Sequence, residues 1–283
     1  MPVYERGYRP WEHSGHRARA PWWTIARRGI AEPLKSRRLL FLLAVAWVPA
    51  IVKGGILYFT FQMGELSRLI GGKWTDIGPR GFLAFLDWQS PFVLILLAII
   101  GSGLISRDRR ENGLALYLAR PLGVRDYVLG KGAVVMFYYF AVTLLPVWAL
   151  CLFGYLVTSG ATGMQMLLLI PLQALAYCLV AGAGFTLVLL ALSSVGQRTV
   201  FVALWWVLLY AGTDGLAKIM SLFSPGLEIV NFPGQFLNAG IVFFGGEPLC
   251  EVPPAASLLV VLAYAALGAW VLRRRIKPVE VVA

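Results

Sequence analysis

The sequence predicts an all-α, polytopic membrane protein with about six transmembrane helices. Three observations lead there. The 283-residue chain is 59% hydrophobic and only 14% charged, with a mean hydropathy of +0.73, whereas soluble domains hold about 45–50% apolar and about 25% charged residues. The apolar residues gather into runs near the ~20 residues that cross a bilayer core. The basic residues, which leave a net charge of +11, crowd the polar segments on one side of those runs. A soluble globular fold is excluded, because its surface would be too apolar for water. So is a disordered chain, which needs more charge. No strand-type alternation is long enough for a barrel.

Taken in order, residues 1–38 form a polar, basic arm. Its second half sets Trp22, Trp23, Ile25, Ile30 and Leu34 among Arg27, Arg28, Lys35, Arg37 and Arg38. Tryptophan and basic residues together suit a helix lying in the headgroup layer; the plainer alternative is a basic flank that only sets topology. Ala44-Val45-Ala46 has the look of a cleavage box, but the polar region before it is too long and the apolar run continues past it, so no cleavage is expected.

The first expected span is 39–61, with Pro49 and a lone Lys53 inside it. The second is 82–106, with Asp87 and Pro91 near its start. The third and fourth are 132–157 and 164–192, the latter containing Pro171. The fifth, 199–220, is interrupted by Asp214 and Lys218. Between it and the sixth, 255–272, comes a mixed stretch, 221–254, whose part 223–244 is apolar but broken by Pro225, Gly226, Pro233 and Gly234. That pattern suits two short helical pieces dipping into the membrane from outside, their backbone groups buried against protein; the alternative is an ordinary packed loop. The organisation expected is a cytoplasmic arm (1–38), a six-span domain (39–272) with a segment of its own character at 106–131 and the broken segment at 221–254, and a basic tail (273–283).

Assigning the polar segments alternately to two sides places 20 of the 25 lysines and arginines on the side of both termini. The positive-inside rule makes that side the cytoplasm, and an odd number of spans would spoil the split. Because the basic residues flank apolar runs, they read as topology signals and not as a nucleic-acid footprint.

Signatures of catalysis are missing. The sequence has no HExxH, no GxSxG and no CxxC. Its two histidines, His13 and His16, both lie in the polar arm, and its cysteines are Cys151, Cys178 and Cys250. The nearest approach to a phosphate-binding loop, Gly123 to Gly130-Lys131, has six residues between its glycines and Gly132 after the lysine. A P-loop needs four, then Lys and Ser or Thr, so any ATP must be bound by another chain. Asp214 and Lys218 are one helical turn apart and able to pair, as a solvated structural ion pair near the outer end of the fifth span. Lys53 is expected to snorkel outward. No chain of buried carboxylates suggests a proton-driven pump. Gly182 and Gly184 allow close helix approach.

The segment 105–131 has the richest pattern: a charged opening, a short apolar piece, an Arg-Pro break, and a second approach to the membrane ending in Gly-Lys. A plain connection between spans needs only a few residues, so a docking role is expected. The ordered pieces Arg110-Glu111, Gly113, Leu114 to Leu118, Ala119-Arg120-Pro121, Arg125 and Leu129-Gly130-Lys131 resemble the second cytoplasmic segment of the ABC-2 type transporter permeases. The arm, the six spans and the broken outer segment resemble that family's architecture over nearly the whole chain, apart from the first 20 residues.

The resemblance implies a permease subunit of an ATP-binding-cassette exporter, in the cell (inner) membrane of a bacterium with both termini cytoplasmic. It implies no catalytic site and no cofactor in this chain, with ATP and magnesium held by a separate ATPase subunit. The partners implied are that subunit, a second copy or a sister permease, and membrane lipid; nucleic acid is not among them. Arg107, Arg109, Arg110, Glu111, Gly113, Leu114, Leu116, Leu118, Arg120 and Pro121 would form the ATPase-coupling segment. Trp22, Trp23, Arg27 and Arg28 would mark the interface helix. The competing classes are an ATP-independent transporter or channel, which predicts internal repeats that the sequence does not show clearly, and a non-transporting assembly factor.

Overall fold

The computed structural model describes residues 20–63, 76–111, 123–158, 161–223 and 225–276. Every regular element among these residues is helical. Six helices are long and apolar enough to cross a membrane: Arg37–Gln62, Ser90–Arg110, Val124–Val157, Thr162–Val195, Thr199–Met220 and Pro254–Arg275. They are called the first to sixth spans below.

Three boundaries of the second and third spans differ from the expected ones, for physical reasons. The run 82–106 divides into a helix Pro79–Trp88 and the second span. The break falls at Gln89, two residues before Pro91, whose ring nitrogen cannot bond the carbonyl four residues back. At the other end, the helix carries on through Arg107, Asp108, Arg109 and Arg110, and the third span begins at Val124 instead of 132. Charge ends a hydropathy run, but arginine is a good helix former and the helix continues. The polar stretch therefore shrinks to a segment between Arg110 and Val124. Gly113, Leu114, Leu116, Leu118, Arg120 and Pro121 lie outside the described residues.

The spans bend where the sequence removes helical hydrogen bonds. The first bends at Trp47, next to Pro49, and the indole Nε1 of Trp47 donates to the Ala141 carbonyl of the third span at 3.2 Å. The third bends at Thr143, before Pro146. Each bend has a proline within three residues, the usual cause of a kink.

Small residues set the closest crossings. A Cβ on Gly268 of the sixth span would stand 2.8 Å from the Leu187 backbone of the fourth. A Cβ on Gly184 would stand 2.6 Å from the Phe236 ring, and one on Gly101 would run into Leu189. Without a hydrophobic force between helices in lipid, such backbone approach is how spans associate.

Between the fifth and sixth spans come two helical pieces, a 3₁₀ turn Pro225–Val230 and an α-helix Phe232–Phe244. Asn231 caps the second piece by accepting from the Gly234 amide at 2.9 Å. The polar side chains of that helix are buried and satisfied. Asn238 donates to the Val252 carbonyl and to Ser257 Oγ, both at 2.8 Å, and accepts from the Leu249 amide at 3.1 Å. Ser257 donates to Gln235 Oε1 at 2.7 Å, and Gln235 donates to the Glu228 carbonyl at 3.0 Å. Polar groups deep in an apolar bundle need such partners, and this network fixes the helix to the start of the sixth span.

Candidate functional site

The two ends of the second span lead to two different regions. At its Arg110 end it meets the fourth span through serines. The chain relaxes at Ser102, and Ser193 Oγ fills the gap, donating to the Ser102 carbonyl at 3.0 Å and accepting from the Ile105 and Ser106 amides at 3.1 Å. Arg109 donates to the carbonyl of Ser194, one residue before the fourth span ends. A cation at that position also complements the negative end of the helix dipole.

The third span enters the same region through Asp108. This carboxylate accepts from the Tyr127 hydroxyl at 2.7 Å and pairs with Lys131 at 2.8 Å, both charged side chains being largely shielded. Arg107, Arg110 and Glu111 are exposed; the Arg110–Glu111 contact, 3.5 Å between exposed groups, contributes little.

The helix Pro21–Leu34 lies along the first half of the third span. Its Ile25, Ala26, Gly29 and Ile30 face inward, while Trp22, Trp23, Arg27 and Arg28 are exposed. Two glycines allow the approach. A Cβ on Gly130 would be 2.8 Å from both Ile25 Cβ and the Trp22 carbonyl, and one on Gly29 would be 2.6 Å from Val134. The Tyr138 hydroxyl donates to the Ile30 carbonyl at 2.8 Å. Both arms of the 112–122 segment are thus anchored, one to the fourth span and the other to the N-terminal helix.

A profile of ABC-2 family transporter proteins matches residues 30–212. The chain belongs to that family. It is accordingly a multi-pass membrane permease of an ABC transporter. No curated protein matches it. The matched range contains the Arg109 and Ser193 contacts between the second and fourth spans, begins within the N-terminal helix, and ends at Gly212, where a π-helical turn in the fifth span, Leu208–Gly212, also ends.

At the other end of the permease, a cavity of about 530 Å³ opens between the second and fifth spans and the helix Phe232–Phe244. Its buried end is aromatic: Tyr139, Tyr177, Phe185, Tyr210 and Phe236 line it. Phe185 stacks on Phe236 with centroids 4.1 Å apart, and Tyr210 shares a 2.9 Å hydrogen bond with Ser90. Its open end carries Asp87, Asp214, Lys218 and Glu228. The expected Asp214–Lys218 pair forms, at 2.6 Å, and Asp214 also accepts from Asn231 at 3.1 Å. Burial pushes the neighbouring Cys250 thiol up from its ordinary range.

Lys53 differs from its expected exposure. It is buried, and its ammonium donates to the Asp76 carbonyl at 2.9 Å. Sequence reasoning also missed Asp108, Tyr127 and Ser193, and the pairing of Lys131 with Asp108. The visible signal was Asp108, a carboxylate inside a run of arginines, which has a positional reason only once Lys131 is brought beside it.

Proposed function

We propose that this permease moves its substrate outward using ATP hydrolysed by a separate ATPase subunit, which docks on the 112–122 segment. The observation that supports this most directly is the anchoring of both arms of that segment. A displacement of the segment pulls on the fourth span through Arg109 and Ser193, and on the N-terminal helix through Gly130 and Tyr138. Closure of the ATPase pair would then drive a rigid-body switch of two permease halves, supplied by a second copy or a sister chain. The exposed Trp22, Trp23, Arg27 and Arg28 suit the headgroup layer, and anionic lipid would hold the N-terminal helix level with the bilayer surface. The setting is the inner membrane of a bacterium, with both termini cytoplasmic.

Two outcomes are expected. Tags at both termini and at residue 120 are inaccessible to impermeant reagents in intact cells, whereas probes near Lys73 and Glu247 are labelled; external labelling of a cysteine at residue 119 would overturn the arrangement. The purified chain alone neither binds nor hydrolyses ATP, because its glycine spacing cannot wrap phosphates. Hydrolysis that persists after contaminants are excluded with a mutant control would end the two-subunit reading.

A further inference from the structure

We propose that Asp108, Tyr127 and Lys131 form a cross-tie between the two arms of the 112–122 segment, so that both arms move as one rigid unit when the ATPase subunit displaces the segment. The inference rests on the docking reading and names positioning residues for it.

The arms need a tie because their helices part company. Over Ser90–Gly101 the second span packs on the third, but over Gly103–Arg110 it packs on the fourth and fifth instead. Long side chains reach back across. Tyr127 and Lys131 are one helical turn apart, so they share a face of the third span. Both meet the same oxygen of Asp108, the Tyr127 hydroxyl donating at 2.7 Å and the Lys131 ammonium at 2.8 Å. The ammonium also stands over the Tyr127 ring, 5.6 Å from its centroid.

The helix dipole disfavours a carboxylate at position 108. Asp108 lies in the last turn of its helix, where a cation is the favoured charge. Its flanking arginines are turned elsewhere, Arg109 to the Ser194 carbonyl and Arg107 to the exposed side. The third span supplies what holds the carboxylate there. The pair is shielded, with Lys131 12% and Asp108 18% exposed, and the Tyr127 ring is buried. Shielded ion pairs add little net stability compared with apolar residues of the same volume; here the pair supplies a fixed geometry.

The position suits transmission. Asp108 and Arg109 are adjacent, so their side chains leave the helix roughly 100° apart. One links to the third span and the other to the fourth. The third span in turn seats the N-terminal helix at Gly130. With the tie in place, a push on either arm reaches both the fourth span and the N-terminal helix. Without it the arms spread, and the motion is lost within the segment.

The test measures the distance between nitroxides at residues 107 and 125, exposed positions on the two arms, by pulsed electron resonance. The background is Cys250→Ser, since Cys151 and Cys178 are buried. The full chain is used in nanodiscs with its co-purified ATPase subunit, nucleotide-free and trapped with ATP and vanadate. With the pair intact, one narrow distance is expected, unchanged by trapping. Asp108→Asn with Lys131→Met removes both charges together and leaves neither uncompensated. This double variant should stay monodisperse and keep the ATPase, while its distance distribution becomes about twofold broader and shifts on trapping. Tyr127→Phe keeps the ring and should broaden the distribution by less. A pair that only neutralises charge predicts narrow, unshifted distances in both variants, and that result would overturn the tie. So would a broad or shifting distance with the pair intact, a measurement that needs no substitution at the pair. Absence of a co-purifying ATPase would end the two-subunit reading, while the nucleotide-free distances would still judge the tie.

Discussion

Leu116→Asp is expected to abolish co-purification of the ATPase subunit while the permease still inserts and stays monodisperse. If the Leu-rich piece of the 112–122 segment fills an apolar cleft of the partner, each leucine contributes about 1.5–3 kcal/mol, or roughly one to two decades of affinity. Aspartate loses that and adds the cost of drying a carboxylate, so the fall should exceed about a hundredfold. The control is Arg107→Ala. Arg107 is exposed, and a rim charge of that kind is screened and contributes about 0–1 kcal/mol. Arg109 is a poor control, because it holds the end of the fourth span through the Ser194 carbonyl. The measurements are membrane insertion and pull-down of the ATPase for both variants. A silent Leu116→Asp, with orientation disturbed when several arginines are removed, would reduce the segment to a topology-setting loop.

The spans were legible because lipid imposes a length and a polarity that few soluble segments share; 39–61 and 255–272 lie within three residues of the helices Arg37–Gln62 and Pro254–Arg275 at every end. What hydropathy could not see were places where helix and polarity part company. Arg107 to Arg110 remain helical although charged, and 82–106 divides at Gln89, beside Pro91, although its overall hydropathy reads as one run. The Asp214–Lys218 pair was readable because its spacing is local. The Asp108–Lys131 pair and the Ser193 contacts join residues far apart in sequence, so nothing local announced them. The cavity was illegible for the same reason: Tyr139, Tyr177, Phe185, Tyr210 and Phe236 come from four different helices, and each one alone reads as packing or an interfacial anchor. Lys53 was misjudged because a lone lysine in a span has two destinations, water or a backbone carbonyl, and only the position of Asp76 selects between them.

Gly130→Val is expected to release the N-terminal helix from the third span. At this position even a Cβ stands 2.8 Å from the Trp22 carbonyl and from Ile25 Cβ, closer than van der Waals contact allows. A backbone carbonyl cannot rotate aside, so the strain falls on the packing of one helix against another, at about 1–3 kcal/mol for overpacking of this kind. Of the attachments described for this helix, only the Tyr138–Ile30 hydrogen bond and the Gly29–Val134 contact resist that displacement. The helix should then peel away while the bundle stays folded, because the small-residue crossings at Gly101, Gly184 and Gly268 join other helices. Trypsin cleavage after Arg27 and Arg28 in membranes should become about tenfold faster, the factor that ~1.4 kcal/mol of lost attachment provides. Substrate-stimulated ATPase activity of the complex should fall more than its basal activity, because one of the two anchors of the docking segment has been loosened. Gly55→Ala in the first span, where a Cβ meets nothing within 4 Å, should leave both readouts unchanged. Unaltered cleavage in Gly130→Val would show that the N-terminal helix is held by lipid and not by its seat on the third span, and the transmission route from the docking segment would then run through Arg109 and the fourth span alone.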